Sequence, residues 1–157
     1  MSSDTTYPYV LFWELDVTPS SPISLSCFSQ WFDRPFSEPE TPSIVYKTAE
    51  HYMMYQKALL FDSEAAQPIL DAPTPEEAKK RGRAIRNFDR AVWAREADGV
   101  VERGNYLKFG QIDDLREYLL QTGEKVMVEC NPTDRIWGIG FTVEEARGRE
   151  AEWGDNR

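Results

Sequence analysis

The run Thr48-Ala-Glu-His-Tyr-Met-Met-Tyr-Gln-Lys-Ala-Leu-Leu-Phe61 constrains this chain more than any other stretch. It predicts a helix, with Thr48 as N-cap and neither Gly nor Pro before Pro68. Tyr52, Met53, Met54, Tyr55, Ala58, Leu59 and Phe61 leave no polar face, so the helix is expected to be buried nearly all round. Glu50, His51, Gln56 and Lys57 interrupt that pattern. Seven residues make about two turns, which puts Glu50 and Lys57 on one stripe about 10 Å apart along the axis. A carboxylate and an amine on a buried helix are costly unless they are paired or functional. The pair is therefore either a salt-bridge network in the core or part of a reactive site.

The rest of the chain reads in order around this helix. Tyr9 to Leu15 is β-branched and aromatic and predicts a strand, followed by a Ser/Pro loop over Thr18 to Pro22. Leu25 to Phe32 alternates small polar with large apolar residues and predicts a second extended segment. Arg34 to Pro42, with three prolines and two glutamates, predicts a surface loop. A short helix is expected near Ser63 to Leu70. Thr74-Pro-Glu-Glu77 then starts a basic helix that runs to about Arg86. Asp89 caps a helix carrying Trp93 through Phe109. A further helix over Ile112 to Gln121 stops at Gly123. Lys125 to Cys130 is a short strand that empties into the glycine-punctuated loop Asn131 to Gly140, and a charged tail ends the chain.

At 157 residues the chain is expected to form one domain. A net charge of −9 argues against a general nucleic-acid binder held by backbone electrostatics. Lys79, Lys80, Arg81, Arg83, Arg86, Arg90 and Arg95 nevertheless form a local basic strip, either a solvated helix face or a receiver of phosphates. Cys27 and Cys130 lie in apolar surroundings and are expected to be buried thiols. With one His and two Cys there is no zinc-type cluster, so neither a metal nor a cofactor is expected. No signal-peptide pattern and no membrane span is present. The expected setting is cytoplasmic, with a nuclear location left open, and the expected state is a monomer away from membranes.

Three groups of residues are candidates for chemistry. Glu50 and Lys57 form the first. Asp134 and Trp137 form the second, because loops that open after a strand commonly carry functional side chains. Their structural alternatives are a turn cap for Asp134 and a core position for Trp137. Trp153, Gly154 and Asn156 form the third, against the plainer account of an exposed tail with a stray Trp. The chain lacks a phosphate loop, a dinucleotide fingerprint and a Gly-x-Ser-x-Gly elbow. A single His makes a Ser-His-Asp arrangement improbable, whereas carboxylate chemistry on a glycosidic bond remains available.

Several linked motifs fall in one order: Phe28-Ser-Gln-Trp31, Thr48-Ala-Glu-His-Tyr with Gln56-Lys57, Lys79 to Gly82, Trp93, Lys108-Phe109, Leu120 to Gly123, Val128-Glu129 and Asp134-x-x-Trp-Gly-x-Gly140. This order resembles the NADAR superfamily, also called YbiA-like, and the closing Trp153-Gly-x-Asn156 is similar to that family's last motif. The resemblance runs from about Leu25 to the end, leaving residues 1–24 as an N-terminal strand and loop extension of a single domain over 1–157. It implies a compact, helix-rich α+β fold and N-glycosidase activity, without metal. Family members cleave the ribosylamino bond of early riboflavin intermediates or remove ADP-ribose from guanine. Carried over by position, the family motifs fall on Glu50, His51, Tyr52, Gln56, Lys57, Asp134, Trp137 and Gly138. Two departures stand out. Ser26-Cys27-Phe28 replaces the Ser-Asn-Phe of many members. The sequence also stops at Arg157, where the family pattern continues through Leu-Gly into a last helix, so the chain is either a truncated form or naturally short, and the resemblance does not extend to the closing site wall.

The chemistry expected of such a site matches these residue types. Cleaving an N-ribosidic bond passes through an oxocarbenium-like sugar, which calls for a carboxylate near the anomeric carbon and an activated water. Glu50 is the first candidate for that role. Lys57 is an electrostatic partner or an amine nucleophile toward an opened ribose aldehyde. Asp134 holds ribose hydroxyls or acts as a second acid/base. Trp31, Trp93 and Trp137 are candidates to stack on the base or wall the sugar, with His51, Tyr52, Gln56, Gly138 and Asn156 also against the substrate. The substrate expected is nucleotide-like or ADP-ribosyl, including an ADP-ribosylated guanine within nucleic acid. The rival is a module that binds ADP-ribose or a related nucleotide without cleaving it.

Overall fold

The computed structural model describes residues 6–13 and 23–157. The end of the first predicted strand and the Thr18 to Pro22 loop lie outside the described residues. Contacts divide the chain into two units: Gln30–Arg116, and the described part of Met1–Ser29 together with Glu117–Arg157. Each is taken by itself.

The central unit is built on α1, Ala49–Phe61. Thr48 starts it as the sequence requires, its side chain accepting from the His51 N–H at 3.3 Å. Residues Ala49 through Met54 are all buried, so the first half of the helix has no solvent face, while Leu59 and Leu60 near its end are exposed. Preceding it, β2 (Phe36–Ser37) and β3 (Val45–Tyr46) form a two-stranded antiparallel ladder. This corrects the expectation of a plain loop over Arg34 to Pro42. Phe36 is buried against Tyr46 and Tyr52, and that aromatic contact pulls the segment into a strand.

A single 3-10 turn, Ser63–Ala65, and α2, Ala66–Leu70, follow α1. The next helix, α3 (Pro75–Arg83), begins with Pro at its first position and with the Thr74 side chain accepting from the Glu77 N–H. It ends three residues short of Arg86. The long helix α4, Arg90–Gln111, is capped by Asp89, whose carboxylate accepts from the Ala91 and Val92 N–H groups. Gly104 lets α4 approach Tyr52: a Cβ there would lie 2.7 Å from the ring. Both α3 and α4 pack on α1. Helix α5, Asp113–Leu120, comes next.

The other unit centres on β1 (Tyr9–Phe12) and β4 (Val126–Glu129), paired in parallel with Leu11 opposite Val128. Gly123 precedes β4 with φ +61, the left-handed stop expected after α5. Leu25–Phe28 is a 3-10 turn, correcting the extended segment read from alternation. Ser26, Cys27 and Phe28 are all buried in succession, a pattern that an extended strand with one covered face does not produce. A four-residue helix α6, Val143–Ala146, was not anticipated, although Thr142 and Glu145 form a full capping box around it. Cys27 and Cys130 are thiols outside any disulfide and have no exposed surface. Among the described residues, no helix is long and apolar enough to cross a membrane.

Candidate active site

In the central unit, Glu50 is 6% exposed on the first turn of α1, and its Oε2 accepts from the Trp31 indole N–H at 3.3 Å. Trp31 is itself half-buried, with the Lys79 ammonium 5.7 Å from its ring centroid. Two turns along α1, Lys57 is 9% exposed and donates to the Gly82 carbonyl at 2.8 Å. Its ammonium lies 4.4 Å from the Phe88 ring centroid and 5.7 Å from that of Trp93. Burial holds the Lys57 amine below the ordinary lysine range; the Glu50 charge opposes the shift and the Arg83 charge adds to it. The structure thus keeps Glu50 and Lys57 on one stripe of α1, as the spacing predicts, and sets Trp31 beside the first and Trp93 beside the second. Beside them lie Lys79, which the sequence offered as part of a possible phosphate-receiving strip, and Gly82 and Phe88, which it did not single out as candidates for chemistry.

Gly82 owes its place to packing. A Cβ there would meet the Met54 Sδ at 2.1 Å, so the absence of a side chain lets α3 lie close enough to α1 for the Gly82 carbonyl to reach Lys57. The glycine in the Lys79 to Gly82 motif was the available signal.

The other α1 candidates serve the fold. His51 has no exposed surface, its Nδ1 pairs with the Thr48 hydroxyl at 2.8 Å, and its Nε2 pairs with the Ala72 carbonyl at 3.1 Å. The Ala72 carbonyl accepts only if Nε2 carries the proton, which leaves Nδ1 to accept from Thr48. Burial also lowers the imidazole's proton affinity, so the ring is neutral. Neither ring nitrogen nor ring surface of His51 faces outward in this arrangement. Tyr52 is 3% exposed, edge-on to Tyr46, and donates to Glu38 Oε1 at 2.6 Å. Burial drives its hydroxyl well above the usual tyrosine range. Gln56 is half-buried and hydrogen-bonds the Tyr46 hydroxyl.

The basic strip divides in two. Arg81 pairs with Glu77 and donates to the Pro68 carbonyl, Lys80 lies 3.9 Å from Glu77, and Arg86 pairs with Asp62 and Glu64. Arg95 turns back to the Ala91 carbonyl of its own helix. Lys79 instead sits by the Trp31 ring, and Arg83, one turn further along α3, is near enough for its charge to act on Lys57.

In the other unit, Asp134 Oδ1 accepts from the Ile136 N–H at 2.8 Å and the Trp137 N–H at 3.0 Å, so the carboxylate shapes the turn that presents Trp137. The half-buried Trp137 ring carries the Arg157 guanidinium at 5.6 Å from its centroid. Gly138 is required sterically, since a Cβ would lie 2.8 Å from Asn131 Cβ and 2.9 Å from the Glu129 carbonyl oxygen. The tail is docked, not stray. Trp153 donates to the Ala146 carbonyl and packs edge-on to Tyr9. Asn156, at φ +51, accepts from the Glu129 N–H and donates to the Met127 carbonyl, closing the edge of β4.

Comparison with known proteins gives the family and the fold. The NADAR domain family model matches residues 12–157. N-glycosidase R617 of Acanthamoeba polyphaga mimivirus is 43% identical over 122 residues, covering 76% of this chain and 72% of that protein. Protein irg-1 of Caenorhabditis elegans is 30% identical over 161 aligned positions, covering 94% and 72%. N-glycosidase YbiA of Escherichia coli is 32% identical over 95 residues, covering 60% and 58%. The NMR structure of the E. coli protein YbiA superposes with a TM-score of 0.66 at 24% identity, over 84% of this chain and 73% of that one, and shows the shared helix-rich fold. The chain belongs to the NADAR domain family, among whose curated relatives of this sequence are proteins named as N-glycosidases, that is, hydrolases.

Proposed function

We propose that this chain is an N-glycosidase that hydrolyses the N-ribosidic bond of a ribosylated base, with Glu50 as the carboxylate beside the anomeric carbon. The observation that carries the reading is the α1 stripe: a buried carboxylate oriented by an indole N–H, and on the same helix a buried ammonium walled by aromatic rings. Such burial is costly for stability alone and suits a site that must stabilise developing positive charge on a sugar. As the C1–N bond breaks, anionic Glu50 faces the oxocarbenium-like carbon. Water adds to C1, its proton passes to Glu50 and on to the leaving nitrogen, and the products are a C1-hydroxylated sugar and the free base.

Two substrate classes fit, guanine-linked ADP-ribose and a ribosylaminopyrimidine phosphate. The second draws support from a 32% identity over 103 residues to a maize protein named riboflavin biosynthesis protein PYRR, although the match spans 16% of that protein. Both substrates carry phosphate, for which Lys79 and Arg83 are the proposed partners. Lys57 is coupled to Glu50 electrostatically, and its lowered proton affinity also makes it a candidate amine nucleophile. In that role the base-bearing ribose opens to a C1 imine, the lysine amine adds to C1 and expels the base as its free amine to leave a lysine imine, and water then hydrolyses that imine to the sugar aldehyde and the free lysine.

The test is a chromatographic hydrolysis assay of both substrates with wild type and Glu50→Gln. Base release from one substrate, lost in the variant while binding persists, is the expected result. Binding without release by the wild type would replace the glycosidase with a nucleotide-binding module.

A further inference from the structure

Phe88 is a large aromatic side chain left 43% exposed beside a polar site, and an unusual amount of structure holds it there. It follows Asn87, which adopts φ +57, a left-handed conformation that Asn tolerates better than most residues. The Asn87 side-chain amide reaches the Phe61 carbonyl at 3.5 Å. One residue earlier, Arg86 is clamped to Asp62 by its backbone N–H at 3.1 Å and by two guanidinium hydrogen bonds at 2.9 and 2.7 Å. Asp62 immediately follows α1, so this clamp ties the α3–α4 connection to the helix that carries Glu50 and Lys57. One residue later, Asp89 caps α4. The ring itself stands edge-on to Phe61 at 5.3 Å and lies beside the Lys57 ammonium.

A ring that served only to cover Lys57 would gain by being buried. This one is fixed on both sides along the chain and still presents a broad apolar surface next to the proposed reacting groups. Flat apolar surface held rigidly beside a charged site is what recognition of a heteroaromatic base requires. We infer that Phe88 is a binding residue for the leaving base, stacking on it and setting preference for substrates that carry a planar base over the base-free sugar. The inference rests on the glycosidase reading above. It extends that reading to a residue outside the α1 stripe.

The test measures binding by calorimetry in the Glu50→Gln background, with and without Phe88→Ala. The ligand pairs are guanine-linked ADP-ribose against ADP-ribose, and ribosylaminopyrimidine phosphate against ribose 5-phosphate. Loss of one base-stacking contact is expected to weaken the base-bearing ligand roughly 5- to 150-fold and leave its base-free partner within about twofold. Phe88→Trp is expected to restore the preference, and Phe88→Leu, which retains apolar bulk without a ring face, is expected not to. Equal weakening of both ligands would overturn the inference by showing that the ring only supports Lys57, and so would no weakening of either. Failure of the glycosidase reading looks different: wild type with Phe88 intact releases no base from either substrate.

Discussion

Helix α4 contains its own controlled experiment, because its three glycines differ in what lies above them. An added Cβ at Gly99 or Gly110 meets nothing within 4 Å, whereas at Gly104 it lies 2.7 Å from Tyr52 Cδ1 and 3.2 Å from Cε1. Replacing Gly by Ala inside a helix gains about 0.8–1 kcal/mol from backbone propensity at any interior position. At Gly99 that gain is unopposed, so Gly99→Ala is expected to stabilise the protein by about 0.5–1 kcal/mol. At Gly104 the methyl must displace a ring that is fixed edge-on by Tyr46, packed on Phe36 and tethered through its hydroxyl to Glu38. Overpacking of this kind costs about 1–3 kcal/mol. The propensity term is common to both sites and cancels, so Gly104→Ala should fall below Gly99→Ala by about 1–3 kcal/mol. Urea unfolding followed by tryptophan fluorescence, with equal m-values required, reads that gap directly. Equal stabilisation by both substitutions would refute the claim that the Gly104 approach fixes Tyr52.

Four further outcomes are expected. Reductive methylation with a carbon-13 label, followed by NMR titration, should find Lys57 deprotonating below the ordinary lysine range; titration within that range would remove the argument for a desolvated amine. Borohydride added during turnover should leave a sugar adduct on Lys57 if the amine reacts covalently, and intact mass without an adduct confines it to electrostatics. Asp62 is held below the usual carboxylate range by its hydrogen bonds to Arg86, so its contribution is present above the unfolded aspartate pKa of about 4 and is lost as pH falls through the lower folded value. Asp62→Asn should therefore flatten the acid limb of the stability curve, and an unchanged limb would contradict the clamp. Asn156→Gly keeps the left-handed backbone but removes both hydrogen bonds to β4; a loss of about 1–2 kcal/mol in urea unfolding, with faster proteolysis of the tail, is expected.

What the sequence determined by itself is local. Thr48, Thr74 and Asp89 each act within three residues of themselves, so their helix starts were legible, as was the Gly123 stop. The Glu50 and Lys57 stripe was legible because helical geometry sets it without reference to any neighbour. Tertiary structure alone decided which of the surrounding residues join that stripe. His51 shares a turn with Glu50, yet the Ala72 carbonyl, 21 residues away, claims its outer nitrogen. Phe88 comes beside Lys57 through the Asp62 clamp across 24 residues and the contacts to Phe61, and Asn156 reaches β4 across 27 to 29. Leu25 to Phe32 carried an alternation that suits a strand, yet Leu25–Phe28 folds as a 3-10 turn that buries Ser26, Cys27 and Phe28 in succession. Capping and periodicity are properties of a few adjacent peptide units. Burial, ring contacts and long-range hydrogen bonds depend on which distant segment arrives, and no single stretch encodes that.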